Sequence, residues 1–161
     1  MVCWSDVVIA APELAAAVQA RFDANGLGLL ATLRRDGSPR ISGIEPLFAL
    51  GEIWLGMMPE SRKALDLLRD PRFALHNATV DKAVTEGDAK LAGRAIPVDD
   101  DATFAEFRDA FAAHAGAPPP PSPFHLFRGD VTDVSMLRPV GDHLDIDIWH
   151  EDGQVERVER F

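Results

Sequence analysis

A mainly β fold is predicted, with short α-helices and an antiparallel sheet of six to eight strands rolled into a closed or split barrel. Three observations predict it. Apolar residues come in short runs bounded by turn residues, as where residues 27–34 meet Arg35-Asp36-Gly37-Ser38. Later runs alternate with a period of two: Ala89, Leu91 and Gly93 against Lys90, Ala92 and Arg94, then Leu144, Ile146 and Ile148 against His143, Asp145 and Asp147. Finally, 161 residues with 47% hydrophobic content suffice for one core, and closing a sheet of that size removes its edges. A single domain over residues 1–161 is expected.

The elements follow in order. Pro12 suits the first turn of a helix, Glu13 complements its positive end, and Leu14, Val18 and Phe22 share one face until Asn25-Gly26 ends it. Strands are expected over 27–34, 39–48 and 52–58, with Gly43 and Pro46 marking a bulge or edge in the second. A short helix over 60–69 turns Ala64, Leu65 and Leu68 to one side. It stops at Asp70-Pro71, because the residue before a proline is pushed out of helical dihedrals. Strands over 72–78 and 87–98 flank a polar loop. Asp99-Asp100-Asp101 then opens a helix with acids where the dipole favours them, and its face is Phe104, Phe107 and Phe111. The proline-rich residues 118–123 read as an extended surface connector. Residues 124–138 make one long strand or two, and Asp152-Gly153 turns a further strand into the segment 154–161.

Charge and cysteine narrow the function. The net charge of −10 argues against nucleic acid and anionic membrane surfaces as partners. Residues 34–94 nevertheless hold ten Lys and Arg against nine acids, which leaves room for a small anion. Cys3 is the one cysteine, so no internal disulfide forms, and a cytoplasmic setting is the simplest. It lies near a terminus expected to fray. No segment reads as a membrane helix or a signal peptide. His143, Asp145, Asp147 and His150 project from one strand and read as a solvated acidic face, so no metal site is expected.

The segment that carries chemistry is Met57-Met58-Pro59-Glu60-Ser61-Arg62-Lys63. A strand running into Ser-Arg-Lys at a helix start gathers unpaired backbone N–H groups, a hydroxyl and two cations, a set suited to a phosphate ester. There is no GxGxxG, Walker loop, CxxC or HExxH motif, and no catalytic residue stands out.

In order along the chain, several pieces are similar to one family. Leu30-Ala31-Thr32-Leu33 with Asp36-Gly37-Ser38-Pro39, then Ser61-Arg62-Lys63-Ala64 ten residues before Arg72-Phe73-Ala74-Leu75, and Lys90-Leu91-Ala92-Gly93-Arg94-Ala95 resemble the FMN-binding split barrels of the pyridoxamine 5′-phosphate oxidase type. The tail, Trp149 followed by Arg157 and Arg160-Phe161, resembles that of the vitamin B6 oxidases. The resemblance implies a homodimer with FMN between subunits, its phosphate held by Ser61, Arg62 and Lys63. Met57 and Met58 would lie near the ribityl chain or flavin ring, and Trp149 with Arg157 or Arg160 would come from the partner chain. Where the oxidases carry a further Arg and Lys for the phosphate, this chain has Ile41 and Pro46, leaving Arg40 as the substitute. An aromatic-Thr pair is replaced by Gly56-Met57 and an Arg-Gln pair by Gly87-Asp88. These departures point away from vitamin B6 oxidation. The function implied is a flavin-dependent oxidoreductase acting on a small organic substrate. The alternatives are a reductase using a deazaflavin coenzyme and a flavin carrier without turnover.

Overall fold

The computed structural model describes residues 1–119 and 123–161. Two helices, α1 (Trp4–Ala10) and α2 (Pro12–Asp23), lead into the strands β1 (Gly28–Leu33), β2 (Pro39–Ile44), β3 (Leu47–Ala49) and β4 (Glu52–Met57). Helix α3 (Arg62–Arg69), strands β5 (Arg72–Asn77) and β6 (Asp88–Pro97) and helix α4 (Asp101–Ala115) follow. The chain ends with β7 (His125–Val140), β8 (His143–His150) and β9 (Glu156–Arg160). All pairings are antiparallel. The path runs β2-β1-β5-β6-β7-β4-β3, with β8 and β9 branching from β7. The mainly β, antiparallel prediction holds, and the described residues form nine strands.

The sixteen-residue β7 organises the sheet. One side pairs with β6, while the other pairs with β4 through 125–128 and with β8 through 133–140. Its ladder with β6 shifts register at Ala92/Gly93. Glycine is required at 93, since a Cβ there would strike the Asp130 carbonyl.

Residues 39–48 do not form one strand. The two ends of the path, β2 and β3, are joined through Glu45-Pro46 alone, and among the described residues no ladder links them. Pro46 has no N–H to donate, and Glu45, preceding it, is steered toward extended dihedrals. The sheet therefore curls toward closure and stays split at this point.

The main core lies between α2 and the sheet, where Val18 and Phe22 join Leu30, Leu75, Leu91 and Val134. A second cluster of Leu47, Trp54, Phe107 and Leu126 seats α4, with Phe104, Phe111 and Phe124 packed around it. The N-terminus is ordered, contrary to expectation. The Val2 amide donates to Asp130 Oδ1 at 2.7 Å, the Val131 amide donates to the Val2 carbonyl, and Trp4 is buried with its Nε1 donating to Gln19. Sequence patterning missed α1 because seven residues give too short a period to read. Residues 124–138 fall in one strand, β7. Within the expected 118–123 connector, residues 120–122 lie outside the described residues.

Two carboxylates are buried, one of them expected on a solvated face. Asp147 lies under Arg138 and Arg157, so the strand face it shares with Asp145 is not a solvated acidic row. In α3 the buried positions are Ala64, Asp66 and Leu67, whereas Leu68 is exposed. Asp66, 4% exposed, accepts from Thr32 Oγ1 at 3.0 Å, Arg40 Nε at 2.6 Å and Arg69 at 3.2 Å. Arg69 also donates to the Leu33 carbonyl. The helix is thereby tied to both strands of the first hairpin.

Burial raises the Asp66 pKa, but hydrogen bonds from Arg40, Thr32 and Arg69 outweigh it and hold the carboxyl below its ordinary value. A carboxyl depressed in the folded state stabilises the fold above its unfolded pKa, and that contribution is lost as pH falls through the folded value. Asp66→Ala leaves Arg40 and Arg69 without their buried partner and is expected to cost about 3 kcal/mol in urea denaturation at neutral pH. Asp66→Asn is expected to flatten the acid limb of the stability–pH curve below the ordinary aspartate range. An unchanged acid limb would show that the network is not ionic in effect.

Candidate functional site

Strand β4 delivers the chain to the site. Ile53, Trp54 and Leu55 are all buried, and β4 ends at Met57. The next turn is tight, with Glu60 at φ +55°, a conformation uncommon outside glycine, asparagine and aspartate. Ser61 is then extended, at φ −63° and ψ 141°, and stands at the N-cap of α3. Its carbonyl accepts from the Leu65 amide, but its hydroxyl makes no capping bond. Ser61 Oγ is buried and has no hydrogen-bond partner among the described residues. Such an atom is satisfied by a water, an ion or a ligand or else marks strain, and Glu52, Arg128, Asp145 and Trp149 each carry another.

Lys63 completes this corner. Its Nζ donates to the Gly43 carbonyl of β2 at 2.6 Å. Burial lowers its pKa, and the nearby Glu45 carboxylate works the other way. From the corner extends a cleft of about 760 Å³, within the range of small-molecule and cofactor sites. Its walls are apolar: Met57, Trp54, Phe107, Phe111 and Phe124. The Trp54 and Phe107 rings lie 5.6 Å apart, and Phe107 and Phe124 lie 5.9 Å apart. These are aromatic-pair distances that fix one wall.

The site residues read from sequence divide into two groups. Met57, Met58, Ser61 and Lys63 line the cleft, Met57 from the core and Met58 from an exposed rim. Arg62 starts the same helix but is exposed and outside the lining. Trp149, Arg157 and Arg160 are not at this chain's cleft. Trp149 is a core residue at 3% exposure within the single chain. Arg157 is engaged by Asp147 at 2.6 and 3.0 Å, and Arg160 pairs opposite Leu144 on β9. Arg40, the substitute phosphate ligand, is committed to Asp66.

Gly43, Glu45, Trp54, Phe107, Phe111 and Phe124 were missed as site residues. The helical spacing of the phenylalanines gave a buried face without saying what it would cover.

Residues 14–138 match the family model of pyridoxamine 5′-phosphate oxidase. The chain belongs to that family. Among solved structures it is similar to ChuZ of Campylobacter jejuni, with a TM-score of 0.70 and 14% identity over 95% of this chain and 69% of that one. It is similar to PhzG of Burkholderia lata 383, solved with tetrahydrophenazine-1-carboxylic acid, with a TM-score of 0.67 and 17% identity over 95% and 90%. A pyridoxamine 5′-phosphate oxidase-related, FMN-binding protein of Nostoc punctiforme PCC 73102 gives 0.66 and 17% over 94% and 96%. At such identities the likeness speaks for the fold. No curated protein sequence matches the chain.

A serine N-cap that bonds its helix ordinarily costs about 0.5–2 kcal/mol when replaced by alanine. Ser61 makes no such bond, and its hydroxyl is buried without a partner. Ser61→Ala is therefore expected to leave thermal stability unchanged or to raise it, measured by calorimetry on ligand-free protein. A clear loss of stability would mean that the hydroxyl is satisfied within the fold.

Proposed function

We propose that this protein is an FMN-dependent oxidoreductase acting on a small organic substrate. The observation that carries this reading is the buried, unpartnered Ser61 hydroxyl beside Lys63 at one end of an apolar cleft. The donor set fits a phosphomonoester: a hydroxyl, an ammonium group and the first-turn amides of α3, with Arg62 adjacent. The aromatic and methionine walls fit a flat ring. Bound there, FMN would supply the two-electron chemistry. Ser61 and Lys63 would hold the phosphate, and Met57 with the aromatic wall would supply apolar contact for the ring.

A second copy of the chain is part of the proposal. Ile41, on β2, is 72% exposed, and Leu29 beside it on β1 is also exposed. Both suit burial in a two-fold interface. Light scattering at micromolar concentration is expected to give twice the chain's 17.5 kDa. The lone cysteine supports a reducing, cytoplasmic setting. Among the described residues no helix is long and apolar enough to cross a membrane.

FMN fluorescence is expected to quench on titration with the protein, at micromolar or tighter affinity. Lys63→Ala is expected to weaken binding by roughly 1.5–3 kcal/mol, about tenfold or more. No quenching at about 100 µM would remove FMN, and binding of a deazaflavin coenzyme in its place would name the cofactor instead. Turnover with NADPH or reduced deazaflavin separates an enzyme from a carrier that binds and passes nothing on.

The phosphate needs Lys63 charged, and its pKa is lowered in the folded protein, chiefly by burial. FMN affinity is therefore expected to fall with rising pH, starting below the ordinary lysine range, and Lys63→Arg should hold affinity through that range. A flat profile in the unsubstituted protein would separate Lys63 from the phosphate.

A further inference from the structure

The face of β8 that carries Asp147 continues through Asp145 to His143, because alternate residues of a strand share a side. Alone, such a row projects outward and cannot close on an ion. The register of the last hairpin supplies what the row lacks, since Glu159 of β9 lies directly opposite Asp145 on the same face. One ligand atom from each of His143, Asp145 and Glu159 falls within 4.8 Å of the others. The arginines nearby are turned to Asp147. Arg138 and Arg157 both bond it, and Arg157 stands 3.8 Å from Asp145 at the other carboxylate oxygen, Oδ2.

Asp145 Oδ1 is fully buried and takes part in no hydrogen bond. Facing it at 3.2 Å is His143 Nε2. The other ring nitrogen, Nδ1, lies 3.4 Å from Asp142 Oδ1, and the Phe161 ring lies against the imidazole with centroids 5.1 Å apart. When Nδ1 donates to Asp142, Nε2 presents a lone pair to a carboxylate oxygen. Two acceptors so close need a proton or a metal ion between them. A carboxylate behind the far nitrogen is also the arrangement that orients metal-ligating histidines. Nitrogen and oxygen ligands about 2.0–2.2 Å from a tetrahedral Zn²⁺ stand roughly 3.3–3.6 Å from one another, close to the separation of 3.2 Å between Nε2 and Oδ1. We propose that His143, Asp145 and Glu159 form a binding site for a divalent transition-metal ion. Zn²⁺ is the best match to one imidazole and two carboxylates. Three protein ligands leave a further position for water. None of the three is among the described residues lining the cleft, so the site is separate from that of the cofactor and does not rest on the FMN reading.

The test titrates Zn²⁺ calorimetrically into the full chain after treatment with a chelator and exchange into chelator-free buffer. One ion per chain is expected to bind at micromolar or tighter affinity, with Mg²⁺ weaker by about a hundredfold or more. Glu159→Gln and His143→Ala are each expected to weaken Zn²⁺ binding about tenfold or more. Cys3→Ser is expected to leave it unchanged, because the Cys3–Asp6 pair lies at α1. Glu159 is exposed, so Glu159→Gln keeps the fold even if His143→Ala does not, and a thermal melt without metal checks both. Zn²⁺ is expected to raise the melting temperature of the unsubstituted protein, and to raise that of Glu159→Gln by less. No binding at about 100 µM Zn²⁺, or binding that survives both substitutions, would overturn the proposal and leave a proton between His143 and Asp145 instead.

Discussion

The chain crosses from one end of its hydrogen-bonded path to the other in the two residues Glu45-Pro46, without a ladder to join the ends. The rest of the molecule is arranged around that gap. A curled sheet with two free edges exposes main-chain groups, and such edges invite pairing with other chains. Here Lys63 reaches from α3 to the Gly43 carbonyl of β2, so a side chain supplies a bond to the main chain of one of the two end strands. The price of the opening is a strand edge that must be managed. Its product is a cleft with a cationic corner at one end and an aromatic wall along its length.

The corner is only as well placed as α3, and α3 is held from beneath. Asp66 faces the first hairpin and gathers Thr32, Arg40 and Arg69. Asp147 does a similar thing on the far side of the sheet, where Arg138 and Arg157 close over it and attach β9 to β8 and β7. Buried ion pairs of this kind contribute little net stability, because desolvation offsets most of the attraction, but losing one partner is costly. They act as registration marks. One sets where the helix start points, and the other sets how the C-terminal hairpin lies.

Much of the architecture was legible from the sequence. The alternation in β6 is reproduced residue by residue in its burial pattern, and the Asp70-Pro71 stop falls where α3 ends. The strand, turn and helix start that bring Ser61 and Lys63 to the cleft were legible as well, because they are consecutive in the chain. What could not be read depends on contacts between distant residues. Arg40 and Arg157 looked like free cations until the fold placed Asp66 and Asp147 beside them, 26 and 10 positions away. Trp149 packs in the core, because β8 pairs along β7 and turns that side chain inward, which the short apolar alternation of the strand did not say. The Phe104, Phe107 and Phe111 spacing announced a buried face, yet nothing local said that it would wall a cleft.

The two apolar clusters divide the molecule unequally. The larger one binds α2 and most of the sheet together, whereas α4 is anchored by a single fully buried side chain, Phe107. Cooperative units in a protein open at free energies set by what each of them buries. Helix α4 therefore belongs to the less deeply anchored part of the molecule, and the Phe107 and Phe111 wall of the cleft rests on it. Substitutions at Phe104 or Phe124, which pack around that cluster, would act on the wall of the cleft rather than on the main core.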